Sequence, residues 1–528
     1  MTKHLLCALV VAFVFNSCES FLTEDPKGVL TPDKLFKDKP GLDMAITGMY
    51  NRFRETNNNC ARQFYVSSGD DVTAVNYNTL LSDFDRFYFY NLNVWLIYLW
   101  QYLYQSIQTA NNIIIHAEVM DIDRTFIEHR VGQAYIIRAL NYFQLVRIFG
   151  RVPLVTGIEI DYTIPRASVE DIYALIEADL KKAETYLPEK HLTAPYFQHG
   201  INIAPNDAAA KAMIASVWMT QAGWPLKKGT AYYDRAAAKY KEIIDREIDY
   251  GYKLEPDILT LVKHPDGNFI NEIVWGSFLN QDNGFTDALS EVPQESYGWA
   301  QLCPEIEFFY NFPEGPRKDA FFLTKVFMYG DDYCVDWDDP ETRFLHPYFK
   351  KNIHRTEWTS YNDETHEWNN QGIGPHGKTR YLFRYADILL LYAEAVAFGS
   401  GNIDQFVVDC VLRVQNRAGV PDERKVTYGM SREAFQKAVL DERRWETCGM
   451  EMSVMGRFFT MQRHEILHLQ GQYRIVYEGM YPFPYPIPFP PADPSLNPKF
   501  VALTTPSEEF YYFPIPGLEV MIAPQLQY

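Results

Sequence analysis

Basic residues, cysteines and long apolar runs are all scarce in this chain of 528 residues, and each shortage removes a class of function. Lysine and arginine number 49 against 68 aspartates and glutamates, a formal charge of −19. Nucleic acids and anionic lipid surfaces are held by clustered cations that displace counterions, so neither is expected as a partner. Of seven cysteines, Cys7 and Cys18 lie in the N-terminal segment, and the scattered remainder (Cys60, Cys303, Cys334, Cys410 and Cys448) makes no disulfide framework. Cys410 and Cys448 fall within helical patterns and read as small core residues. Beyond the N-terminus no charge-free apolar run reaches the roughly 20 residues that a membrane-spanning helix needs. HExxH, GxSxG and Walker patterns are missing as well.

What is present starts with an export signal. Lys3 and His4 precede an apolar run from Leu5 to Phe15, and Asn16-Ser17-Cys18 follows. That is the layout of a signal peptide over residues 1–17. Ser17-Cys18 resembles the end of a bacterial lipobox, in which the thiol is acylated before cleavage, although Phe15 and Asn16 depart from its strict form. Cys18 is therefore expected to be the lipid-bearing first residue, with residues 18–30 as a polar tether. Cleavage removes Lys3 and no acid, taking the charge to −20.

The aromatic content stands out: 36 Tyr, 35 Phe and 10 Trp. Many of these rings sit in loop-like stretches beside Asn, Asp, Gln and Gly. A sugar has apolar C–H faces and hydroxyl edges, which flat rings and short polar side chains suit, but the same rings could also fill a large core.

Helical periodicity dominates residues 31–249. Thr31-Pro32 predicts a helix start leading into 33–54, and further helices are predicted over 94–117, 127–149, from Ser168 to Leu187, and over 206–221 and 231–247. Stacked helix pairs would form a solenoid-like layer. Residues 250–377 lose that period and gain Gly, Pro, Asp, Asn and Trp, which reads as a loop-rich insertion that builds a surface. Helix returns over 379–398, 404–418 and 431–447, within a closing part spanning 378–528. The segment 477–500 carries Pro482, Pro484, Pro486, Pro488, Pro490 and Pro491 and is expected to be an extended strap. Length alone suggests about three domains.

Several blocks together resemble the SusD/RagB family of outer-membrane lipoproteins. They are Arg384-Tyr385-Ala386-Asp387-Ile388-Leu389 through Glu394-Ala395, Gln133 to Phe143 with Gly150-Arg151-Val152-Pro153-Leu154, Ile176 to Leu180, and Phe513-Pro514-Ile515-Pro516 with Glu519. Glu442 to Glu446 fits the family's Glu-Arg helix, while Thr460 stands where Asp is common. The resemblance implies a mainly α, SusD-like single domain over 31–528. Four tetratricopeptide-like helix pairs would pack against an irregular, loop-rich half with little β. It also implies a non-enzymatic surface protein that captures oligosaccharides as a lid on a SusC-like, TonB-dependent outer-membrane transporter.

Paired acids occur at Asp70-Asp71, Asp331-Asp332 and Asp338-Asp339. Glycoside hydrolysis needs two carboxyls about 5 to 9.5 Å apart, and adjacent residues usually point apart, so no enzyme is expected. His354, His366 and His376 are too widely spaced for a metal motif. No cofactor is expected beyond the lipid on Cys18, with Ca²⁺ at the acidic run Asp331 to Glu341 as the one alternative. By family resemblance, glycan contacts are expected in the loop before 94–117 (Asp70, Asp71, Asn76, Tyr77, Arg86, Tyr90 and Asn93) and in the insertion (Tyr297, Trp299, Trp337, Trp358 and Trp368). A protein- or peptide-capturing lipoprotein of the same fold remains the alternative function.

Overall fold

The structure, a computed structural model, describes residues 31–56, 69–74, 79–85, 90–262, 269–278, 293, 295, 298, 300–328, 333–339, 341–342, 346–350, 379–449, 453–467 and 511–527. The expected signal peptide, Cys18 with its tether, and the proline strap at 477–500 lie outside the described residues.

Ten helices carry the argument: α1 (Lys39–Glu55), α2 (Val94–Ala117), α3 (Arg124–Phe149), α4 (Val169–Tyr186), α5 (Asp207–Ala222), α6 (Thr230–Ile244), α7 (Tyr385–Phe398), α8 (Gln405–Arg417), α9 (Arg432–Glu446) and α10 (Arg457–Arg463). From α1 to α8 each helix packs on the next, which gives four successive pairs, and α9 also packs on α7. The step from α6 to α7 crosses more than 100 residues of sequence, so the N-terminal and C-terminal helices form one layer. Starts are fixed locally. Side chains of Asp38, Asn93, Asp123, Ser168, Asn206, Asp404 and Ser431 each accept a backbone N–H of the first turn, each cap contributing about 1 kcal/mol. Helix α5 is alanine-rich and buried almost throughout, and its small side chains let α4 and α6 approach from two sides.

Two helix starts depart most from those predicted. The helix expected over 33–54 is broken into Pro32–Leu35 and α1. Pro40, in the first turn of α1, has no N–H to give the preceding turn, and Asp38 caps a fresh start by accepting from Gly41 N at 2.9 Å. The helix expected from 379 begins only at Tyr385, because 380–384 is strand.

Among the described residues the strands form five two-stranded antiparallel ladders. They are β1 (Val72–Ala74), β2 (Phe197–Gln198), β3 (Ile201–Asn202), β4 (Ile273–Ser277), β5 (Leu302–Pro304), β6 (Phe322–Leu323), β7 (Lys325–Met328), β8 (Tyr333–Asp336), β9 (Tyr348–Phe349) and β10 (Arg380–Arg384). Strand β10 pairs with β4, β1 with β5, β2 with β3, β6 with β9 and β7 with β8. The irregular half is therefore held by short ladders and not by one sheet. Cys410 on α8 and Cys448 are both buried as expected, but Cys448 lies in the turn after α9 and not in a helix.

Charged clusters deep in the layer fasten the elements together. Arg138 on α3 forks onto Asp179 on α4 with two bonds of 2.7 Å and donates to Asn111 on α2 at 2.8 Å. Glu446 on α9 accepts from Arg317 at 2.9 Å, Arg384 at 2.8 Å and Arg417 at 2.5 Å, all buried. Burial alone would raise its carboxyl pKa, but the three guanidiniums outweigh that and hold it well below the usual range. Glu394 on α7 is likewise ringed by Arg443, Arg463 and His464. Thr460, in place of the family's Asp, accepts from Arg443 at 3.2 Å.

Candidate functional site

The loop ahead of α2 returns to the body at Asp70. Its carboxylate receives two bonds from Arg457, at 2.7 and 2.8 Å, and pairs with Arg444 Nε at 3.1 Å. Arg444 also donates to the Asp70 carbonyl at 2.7 Å. Asp71 is only 5% exposed and accepts from Gly449 N at 2.8 Å. Burial, and then the charge of Asp70, push its carboxyl above the usual range. From there β1 runs alongside β5. This corrects the expected role of both acids: both Asp70 oxygens and Asp71 Oδ2 accept from the protein's own donors, Asp70 clamping the loop to α9 and α10 and Asp71 to the turn after α9.

The next turn opens α2. Asn93 is 1% exposed, and its side chain accepts from Trp95 N at 3.0 Å, so it is a helix cap and not a ligand contact. Tyr90 is half-buried, and its carbonyl accepts from Asn93 N at 3.2 Å. Past the cap, Trp95, Tyr98 and Tyr102 recur at the spacing of one helix flank. Trp95 and Tyr98 meet edge to face at 6.3 Å between centroids, and Tyr98 and Tyr102 are tilted at 6.3 Å. Tyr98 is 43% exposed, while Trp95 and Tyr102 are half-buried. Trp95 Nε1 is buried and has no hydrogen-bond partner among the described residues. Such a ladder offers apolar ring surface with hydroxyls at its margin, which suits the face and edge of a sugar ring.

In the insertion, Trp337 is 7% exposed and wedged edge-on against Phe309 at 5.7 Å and Tyr310 at 6.2 Å. A ring so enclosed has no open face for stacking, so Trp337 is corrected from the expected platform to a core residue. Asn76, Tyr77, Arg86, Tyr297, Trp299, Trp358 and Trp368 lie outside the described residues. Of the acidic run, Asp336 pairs with Lys325 at 2.8 Å, and Asp339 Oδ1 accepts from Glu341 N at 2.9 Å.

The chain matches two family profiles, one for "Starch-binding associating with outer membrane" over residues 20–219 and one for the "SusD family" over 322–527. The chain belongs to the SusD/RagB family. It is 25% identical over 475 residues to SusD-like protein P2 of Formosa agariphila, covering 84% of this chain and 88% of that one. Among solved structures it resembles a laminarin-binding SusD-like protein (TM-score 0.67, 20% identity, 93% and 98% of the two chains). A similar likeness holds for a chain solved with a xylogluco-oligosaccharide (TM-score 0.68, 20% identity, 92% and 97%). These likenesses agree with the fold of stacked helix pairs; the family is one of surface-associated outer-membrane binding proteins.

The structure thus brings Tyr90 and Asn93 to the start of α2 and places Asp70, Asp71 and Trp337 in structural roles. Sequence reasoning missed Trp95, Tyr98 and Tyr102. Their signal is legible in the sequence as aromatics at i, i+3 and i+7 of the helix predicted over 94–117.

Proposed function

We propose that this SusD/RagB protein is a cell-surface glycan-binding lipoprotein. It captures oligosaccharides without cleaving them and delivers them to a SusC-like, TonB-dependent transporter in the outer membrane. The observation that carries the binding role is the Trp95–Tyr98–Tyr102 ladder, a partly open aromatic flank at the N-terminal end of α2. The glycan ligands of two proteins of like fold support the same reading. Anchoring through an acylated Cys18 follows from the N-terminal sequence, with the polar residues 18–30 as the tether that keeps a lid attached to its barrel.

Affinity electrophoresis against a panel of polysaccharides tests the binding role. At least one glycan is expected to retard the protein, and Tyr98→Ala is expected to weaken that retardation about tenfold, since the apolar area that a sugar's C–H face covers on a ring is worth about 1–2 kcal/mol. Binding only to peptides, with Tyr98→Ala silent, would overturn it in favour of peptide capture. Cys18→Ala is expected to release soluble protein that still binds; a variant still in the membrane fraction would refute the anchor.

A further inference from the structure

A cleft of about 470 Å³ opens where two distant sequence blocks meet. One wall is the turn after α3. Gly150 ends that helix at φ +69°, and a Cβ there would lie 2.9 Å from the Tyr512 ring, so the chain needs glycine both for the backbone angle and for the close approach. The other wall is the C-terminal run, fixed by Phe513 N donating to Ile148 O at 2.8 Å and by Gln462 Nε2 donating to Tyr511 O at 2.6 Å. The size is that of a small-ligand site.

Two guanidiniums line it, Arg151 and Arg166. They are held on rigid backbone: Pro153 bridges Arg166, Ala167 N donates to Val152 O at 2.9 Å, and Arg151 Nη2 donates to the Arg166 carbonyl at 3.2 Å. Among the described residues no Asp or Glu lines the cleft. Glu170, whose charge reaches the Tyr512 hydroxyl, is not among the lining residues. Burial, and then the charge of Arg151, lower the pKa of Arg166. In a chain of net charge −19 such a patch is out of character. The remaining lining combines the half-buried Tyr512 ring and apolar side chains (Ile515, Val520, Leu526) with amides (Asn91, Gln527).

We propose that this cleft is a subsite for an acidic sugar, with Arg151 and Arg166 donating to the carboxylate or sulfate oxygens of a uronate or sulfated residue, the amides bonding its hydroxyls and the Tyr512 ring covering its C–H face. A planar fork that donates two parallel bonds matches either oxyanion. The proposal rests on the glycan-capture reading and adds the chemical class of ligand to it.

Isothermal calorimetry on the full mature chain tests it with oligosaccharides derived from polygalacturonate, with sulfated oligosaccharides from carrageenan, and with neutral laminari-oligosaccharides. One acidic series is expected to bind, and the stronger series identifies the oxyanion. Arg151→Gln is expected to weaken that binding at least about tenfold, while Arg151→Lys, which keeps charge but loses the fork, recovers only part. Rising salt should weaken the wild type more than Arg151→Gln. Arg151 is exposed, so its replacement leaves the fold intact; Asn91→Ala gives an independent loss at the same site. Neutral glycans binding as well as acidic ones, or acidic binding unmoved by Arg151→Gln and Asn91→Ala, would overturn the proposal and leave glycan capture standing. No binding to any glycan would overturn both.

Discussion

Asp70→Ala separates a clamp from a ligand contact. The substitution removes the acceptor of both Arg457 bonds and of the Arg444 Nε contact. The side chains of Asp70, Arg457 and Arg444 are 14%, 13% and 23% exposed, so the group is largely shielded from water. Breaking a buried pair costs about 3–5 kcal/mol, mostly because the surviving charge stays buried. With this residual exposure we expect about 2–3 kcal/mol. Unfolding entropy near 2 cal/mol/K per residue makes that only about 2–3 °C in a chain of this size, so urea titration is the better assay. The double variant Asp70→Ala/Arg457→Ala should be less destabilised than the sum of the two single variants, because the stranded guanidinium is gone. Glycan affinity of the folded Asp70→Ala protein should stay within about threefold of wild type. Unchanged stability with affinity abolished would refute the reasoning and return Asp70 to the ligand site.

Glu446→Ala leaves Arg317, Arg384 and Arg417 around an emptied centre, and a loss of about 3–5 kcal/mol is expected by urea unfolding; a loss under about 1 kcal/mol would contradict it. Gly150→Ala puts a side chain at φ +69°, ψ −116°, and against the Tyr512 ring, so about 1–3 kcal/mol should be lost in the same assay. Stability should be level between about pH 7 and 8 and fall with acid. Burial lowers His191, His346 and His464 to about 4 from 6.5. The unfolded chain therefore takes up protons first, and stability drains between about pH 6.5 and 4. Glu394 and Glu446, held low by their arginines, add a further loss below their ordinary value of 4.5. A urea midpoint that is flat from pH 7 to 5 would contradict the histidine part.

Much of the helical layer was legible because its causes are local. Ser168 and its bond to Asp171 N, Gly150 at the end of α3, and the alanines of α5 each act within a turn or two of their own position. The break at Pro40 was also local, but the periodicity of 33–54 masked it. The strand at 380–384 was not legible, because its partner β4 lies over 100 residues earlier and its apolar pattern fits a buried helix equally well. The candidate site suffered most. Asp70, Asp71, Asn93 and Trp337 are the residue types that bind sugars, but they also suit ion clamps, caps and cores, and only the position of Arg457, Gly449 or Phe309 decides between those uses. The blocks Gly150 to Leu154 and Phe513 to Pro516 were seen separately as family marks; the cleft between them exists only once the fold has joined them.

Calorimetric titration of the mature chain and of Tyr98→Ala with the polysaccharide that best retards the protein in electrophoresis tests the central claim most directly. Glycan capture on the α2 flank predicts saturable binding by the wild type and affinity reduced about tenfold in a variant of unchanged urea midpoint. Equal affinity in both proteins, or no heat from any glycan, would contradict it.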